Sequence, residues 1–199
     1  MQEAKDIKSR LIRSGSLLFA EKGFKGVSVR EVCKHAGASQ SMIHHYFKSK
    51  QGLLDAILKH YSEDVYLIPS RIIEPELTTK DDFIARIRLI FITTFEACLA
   101  HRNVVVLVWR ERITPVPLIS YLNRLKVFIT GAIEKGYVRS SVEPDMITGF
   151  MFDRIMNQVQ LAPWLKENFG TDLEADKAYR DRWSAANIDI FLSGLVNNN

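Results

Sequence analysis

Within twenty-odd residues the chain carries two helix starts and one sharp stop, and this arrangement constrains its fold more than any other feature. Ser28 is followed three positions later by Glu31. In that pairing a hydroxyl accepts from a first-turn N–H, and the carboxylate reaches back to the N–H of the cap residue. Val29, Val32, Cys33 and Ala36 supply an apolar face at helical spacing. Gly37 can take the positive φ that a sharp turn needs. Ser39 can cap a second short helix over residues 39–45, and Ser49 a longer one bearing Leu53, Leu54, Ile57, Leu58 and Tyr61. Two short helices joined across Gly37-Ala38-Ser39 form a helix-turn-helix signal, in which the first helix braces the second and the second offers its N-terminal residues to the major groove.

The charge distribution agrees with a nucleic-acid partner for this end of the chain. Residues 1–50 hold ten Lys and Arg against four Asp and Glu, whereas the remaining 149 hold 17 against 19. A basic head on a nearly neutral body suits a polyanion that meets the head alone. On charge alone, a solvated basic face would serve as well.

Helical periodicity runs through the rest of the chain, and the expected fold is all-α. Residues 4–22 read as an amphipathic helix stopped by Gly23, and residues 81–101 as a long apolar helix. Residues 103–112 are rich in Val and could form a strand. With helices on both sides and no partner strand, they read as a buried helix. Further helices are expected over 115–134, 143–161 and 174–196, with loops over 69–79 and 163–172. The domain boundary is placed at residue 50, giving a three-helix head (1–50) and a larger helical body (51–199).

Several function classes are excluded. With 47% hydrophobic and 25% charged residues the chain can build a core and is not disordered. Its apolar runs are too short to span a bilayer, and its N-terminus lacks the apolar stretch of a secretory signal. Cys33 and Cys98 lie far apart and make neither a metal-ligand spacing nor a disulfide framework, which fits a reducing cytosol. Adjacent His44 and His45 point about 100° apart on a helix and do not form a metal site. No phosphate loop, nucleophile elbow or HExxH run is present. The expectation is therefore no enzyme, no metal and no cofactor.

In the second short helix, Ile43 and Phe47 stand four apart and can anchor to a core. Gln40, Ser41, His44 and His45 fall largely on other faces, where Gln can pair with adenine and Ser with several base edges. Tyr46, Lys48 and Lys50 suit phosphates, which set register rather than sequence preference.

The ordered blocks Leu18-Phe19-Ala20-Glu21-Lys22-Gly23-Phe24, Ser28-Val29-Arg30-Glu31-Val32, Ala36-Gly37-Ala38-Ser39 and Tyr46-Phe47-Lys48-Ser49-Lys50 with Leu53-Leu54 resemble the DNA-binding domain of the TetR/AcrR family of transcriptional regulators. The resemblance covers about residues 5–60. It implies a cytoplasmic, all-helical homodimer whose head binds a palindromic double-stranded operator and whose body binds a small apolar or amphipathic effector. It also implies DNA contacts by Ser28, Ser39, Gln40, Ser41, Tyr46 and Lys50, to which helix face and charge add Arg30, His44, His45 and Lys48. His44 stands where the family usually has Tyr, Met42 where it has Thr or Ser, and Ser41 where Gly is frequent. The operator sequence therefore cannot be borrowed from a relative. A regulator controlled by a protein partner instead of a small molecule is the alternative reading.

For the body, the resemblance implies two further sets. A ligand cavity would draw on Phe91, Phe95, His101, Trp109, Asn123, Phe152, Arg154 and Asn157, apolar walls with a few polar groups. A two-fold interface would use Ile147, Phe150, Trp183, Ile190, Phe191 and Gly194, where one patch serves both subunits. Ordinary packing within one chain explains the same stripe equally well.

Overall fold

The computed structural model describes residues 2–196, with side chains from Asp6 onward. Among them the regular structure is helical, with a lone antiparallel bridge between Val138 and Val196. The chain divides into two compact units. One runs to Glu63 and takes in His101–Pro115; the other comprises Asp64–Ala100 and the chain from Val116 on. The head is thus larger than residues 1–50 and includes a helix from much later in the sequence.

The head holds α1 (Gln2–Lys22), α2 (Val29–Ala36), α3 (Gln40–Phe47), α4 (Lys50–Ser62) and α7 (Arg102–Glu111). The expected capping box is present: Glu31 N–H donates to Ser28 Oγ at 3.1 Å, and Ser28 N–H to the Glu31 carboxylate at 3.3 Å. Gly37 has φ +61° and closes α2 by donating to Cys33 and Lys34 carbonyls. Leu11, Phe19, Val32, Ile43, Phe47, Leu53 and Ile57 form the buried centre. Val104, Val105, Leu107 and Val108 are buried too. The Val-rich run expected as a buried helix is therefore one, and it belongs to this unit.

The body holds α5 (Ile68–Ile73), α6 (Lys80–Ala100), α8 (Val116–Glu134), α9 (Pro144–Gln160), α10 (Ala162–Phe169) and α11 (Lys177–Leu195). Its core is aromatic. Phe83 stacks on Phe128 with centroids 5.4 Å apart, and Trp183 meets Phe95 at 4.6 Å and Phe91 at 5.7 Å. Thr94 and the hydroxyl of Tyr121 meet at 3.5 Å within it. Burial pushes the Tyr121 phenol up to about 12, and raises the buried Cys98 thiol as well.

Two expected loops are partly helical. Residues 63–67 form a π-helical stretch leading into α5, so helix continues through Pro69 to Ile73. Residues 163–169 are in α10, ended by Gly170 at φ +67°. Pro163 sits in the first turn of α10, where its missing N–H costs nothing, and Pro69 in the first turn of α5, where the π-helical stretch gives way to α-helix. The last helix begins at Lys177 rather than 174, because Asp176 caps it by accepting from Tyr179 N–H at 2.8 Å.

Candidate functional site

The recognition helix α3 is two-sided. Ile43 and Phe47 are buried, at 2% and 6% exposure. Ser39, Gln40, Ser41, His44 and His45 are exposed, and Tyr46 half-buried. This amphipathic split exposes five polar side chains around the first turns while two apolar ones hold the helix down. Ser39 occupies the N-cap position with extended backbone, but its hydroxyl makes no cap bond. It meets the Ser41 hydroxyl instead, at 2.7 Å. Tyr46 is wedged between the His45 and Phe47 rings, with centroids at 4.7 and 6.1 Å.

The helix ends at Phe47, and Lys48 after it takes φ +68° without being glycine. That turn lets Ser49 cap α4 by accepting from Gly52 N–H at 3.0 Å. Lys48 is exposed. Lys50 is differently placed. Its ammonium donates to the carbonyls of Phe24 and Val27, both at 2.9 Å, and lies 4.4 Å from the Phe24 ring centroid. Of its three donors, two are engaged within the head.

On α2, Ser28 and Arg30 are exposed, and the Ser28 hydroxyl is occupied by its capping role. Lys22 reaches Glu31 at 2.6 Å. The ammonium holds the Glu31 carboxyl below the usual carboxylate range, helped by the Ser28 N–H. Lys22 is raised in return by Glu31.

Of the body residues expected to line a ligand cavity, Phe91, Phe95 and Arg154 gather on Trp183. His101 and Trp109 belong to the head unit. Phe91 and Phe95 are buried against Trp183. Arg154 lies over the Trp183 ring at 5.1 Å and donates to Asn187 at 2.7 Å. Phe152 sits beside Tyr66, and Asn157 is exposed. Of the set, Asn123 alone borders an open groove in the body.

That groove is open, has a volume of about 690 Å³, and runs between α5 and α8. Ile73, Val116, Ile119, Val127 and Phe128 form its apolar walls. Glu74 and Arg124, paired at 2.6 Å, stand at its edge with Ser120 and Asn123. The sequence did carry its signal. On α8, Val116, Ile119, Asn123 and Val127 recur on one side, while Tyr121, Leu125 and Ile129 are buried on the other. A helix with two apolar stripes has a second surface to cover.

The expected interface residues separate in a similar way. Trp183 is a core residue of its own chain, and Phe191 is buried at 6% exposure. Phe150 stacks on Phe191 with planes 4° apart, yet is 56% exposed. Ile190 and Met146 are 69% and 75% exposed. Gly194 is exposed and Ile147 half-buried.

A helix-turn-helix head with an exposed polar reading helix, on a chain with a separate helical body, defines a DNA-binding regulator. Residues 11–57 match the family described as "Bacterial regulatory proteins, tetR family". It is 24% identical over 156 residues to the HTH-type transcriptional repressor KstR2 of Mycobacterium tuberculosis, covering 73% of this chain and 76% of KstR2. The probable HTH-type transcriptional regulator YttP of Bacillus subtilis is 41% identical over 56 residues, 28% of this chain and 27% of YttP. Among solved structures, the ketosteroid regulator KstR2 of M. tuberculosis superposes with a TM-score of 0.73 at 22% identity, covering 96% and 95% of the two chains. FadR of B. subtilis, solved with stearoyl-CoA, gives 0.64 at 20% identity over 94% and 98%. The shared fold thus extends over nearly the whole chain.

Proposed function

We propose that this chain is a homodimeric repressor that leaves a palindromic operator when a small apolar or amphipathic effector occupies its body. The observation that carries the reading is the α5–α8 groove, an open apolar channel with a few polar groups at one edge, the usual composition of a small-molecule site. The relatives lend support. KstR2 is described as a ketosteroid regulator, and FadR was solved with stearoyl-CoA. Both names denote large apolar skeletons. Ser39, Gln40, Ser41, His44 and His45 would read bases, while Arg30, Tyr46 and Lys48 would meet phosphates. Met146, Phe150, Ile190 and Gly194 offer one exposed stripe from α9 and α11 for two-fold pairing.

In this scheme, effector and operator binding are coupled by about 1–3 kcal/mol, and each must weaken the other equally. The test uses stearoyl-CoA and coenzyme A alone as probes in thermal-shift and DNA-binding titrations. Stearoyl-CoA should raise the melting temperature of the wild type and weaken operator binding. Val127→Asp, which places a charge in the groove at an exposed position, should fold normally and lose that response. If Val127→Asp responds like the wild type, the groove assignment fails.

The second reading, control by a protein partner, draws on α10. Trp164 and Phe169 pair there with centroids 5.2 Å apart while remaining 50% and 68% exposed. An exposed aromatic pair away from the α9–α11 stripe is the kind of surface a protein partner would cover.

A further inference from the structure

The end of α1 is held by two side chains that arrive from α7, far along the sequence. A helix leaves its last carbonyls without intrahelical partners. Here Arg110 Nη1 donates to Ala20 O at 3.1 Å and to Glu21 O at 2.7 Å. The cation also sits at the negative end of the helix dipole. One residue along, Glu111 Oε1 accepts the N–H of Phe24 at 3.0 Å. Between them lies Gly23, at φ +79°. A Cβ on Gly23 would stand 2.9 Å from Glu111 Oε1 and 3.6 Å from Arg110 Nε. The glycine therefore supplies both the left-handed turn and the space in which the two side chains sit.

Phe24 passes this restraint onward. Its N–H is held by Glu111, and its carbonyl by the Lys50 ammonium. Its ring is held edge-on by Phe19 at 5.3 Å and by the same ammonium. Lys50 opens α4, three positions after α3 ends at Phe47. On the other side, Lys22 reaches Glu31, the acid of the α2 capping box. Every link lies within the head unit. Through residues 20–24, two residues of α7 are thus linked to α2, by Lys22 and Glu31, and to the start of α4 directly after α3, by Phe24 and Lys50.

We infer that Arg110 and Glu111 are positioning residues for DNA reading: their clasp on residues 20–24 sets the attitude of α2 and α3 in which the exposed face of α3 fits a major groove. Base readout demands that attitude, because hydrogen bonds to base edges fail with small tilts. Contact with phosphates on random DNA tolerates them. The clasp should therefore govern specificity more than general affinity.

The test uses the full-length protein and two duplexes: one selected from a random-sequence pool by the wild type, and one of random sequence. Glu111→Ala and Arg110→Met should each weaken binding to the selected duplex about tenfold, with random-duplex binding and its salt dependence unchanged. Glu111→Gln, which keeps an acceptor for the Phe24 N–H, should recover most of the loss. Equal loss on both duplexes would overturn the inference, as would a lowered melting temperature with selected-duplex affinity intact. A measurement on the unaltered protein guards against variants that do not fold. By linkage, selected DNA should slow hydrogen exchange of the Phe24 amide more than random DNA does. Equal protection by the two duplexes would also overturn it.

Discussion

Helices α3 and α8 each bury one side and expose the other, and the exposed sides differ in kind. On α3 it is Ser, Gln and His around the first turns, with Ile43 and Phe47 beneath. On α8 it is Val116 at 81%, Ile119 at 56% and Val127 at 71% exposure, with Tyr121, Leu125 and Ile129 beneath. A polar exposed face is stable in water and gains by meeting a hydrogen-bonding surface. An apolar one is held open against the hydrophobic effect and gains by being covered. The two helices therefore suit different ligands, nucleic acid for α3 and an apolar skeleton for α8, although both are anchored to a core by the same means.

The contrast is tested most severely from beneath α3. Phe47→Ala should cost about 3–5 kcal/mol and abolish DNA binding through loss of the anchored helix, as read by denaturant unfolding and DNA titration. If Phe47→Ala binds DNA normally, α3 is not held by its buried side. From above, Gln40→Ala should leave stability within about 0.5 kcal/mol. It should cost roughly 1–3 kcal/mol of discrimination at a single base-pair position. Lys48→Ala should instead weaken all duplexes alike and reduce the salt slope. Identical behaviour of these two variants would erase the distinction between base reading and phosphate contact. The smallest effect expected is an acid one. Glu31 is held below its ordinary value of 4.5, first by Lys22 and then by the Ser28 N–H. A depressed carboxyl stabilises the fold above its unfolded pKa and loses that contribution as pH falls through the folded one. Stability should therefore decline below about pH 4.5 with a shallower slope in Glu31→Gln than in the wild type. Matching slopes would remove Glu31 from the acid response.

Much of the head was legible because its determinants are local. Ser28 and Glu31 act across three positions, and Gly37 acts on its own backbone, so both can be read from a short window. The placement of α7 in the head was not legible, since Arg110 and Glu111 meet residues 87 to 90 positions away. Lys50 shows the same limit. Its position after the recognition helix suggests a phosphate contact, but the carbonyls it meets belong to residues 24 and 27. In the body, apolar residues were correctly found on helices but not sorted. Trp183 and Phe95 fill the core, while Val127 faces out. Sequence hydrophobicity alone does not separate a core stripe from a groove wall on the same helix. Proline misled in two places, Pro69 and Pro163, because a first helical turn accommodates what a helix interior rejects.

Both native thiols lie in the interior, Cys33 at 2% exposure and Cys98 fully enclosed, and burial raises the pKa of each. A thiol that is neither accessible nor ionised reacts slowly with alkylating probes. The protein therefore comes ready for site-directed labelling: one cysteine introduced at an exposed site such as Ser41 or Val127 would carry a spin or fluorescent label without first removing the native pair. The reading helix and the groove could thus be watched in two singly labelled variants as DNA or an apolar compound is added.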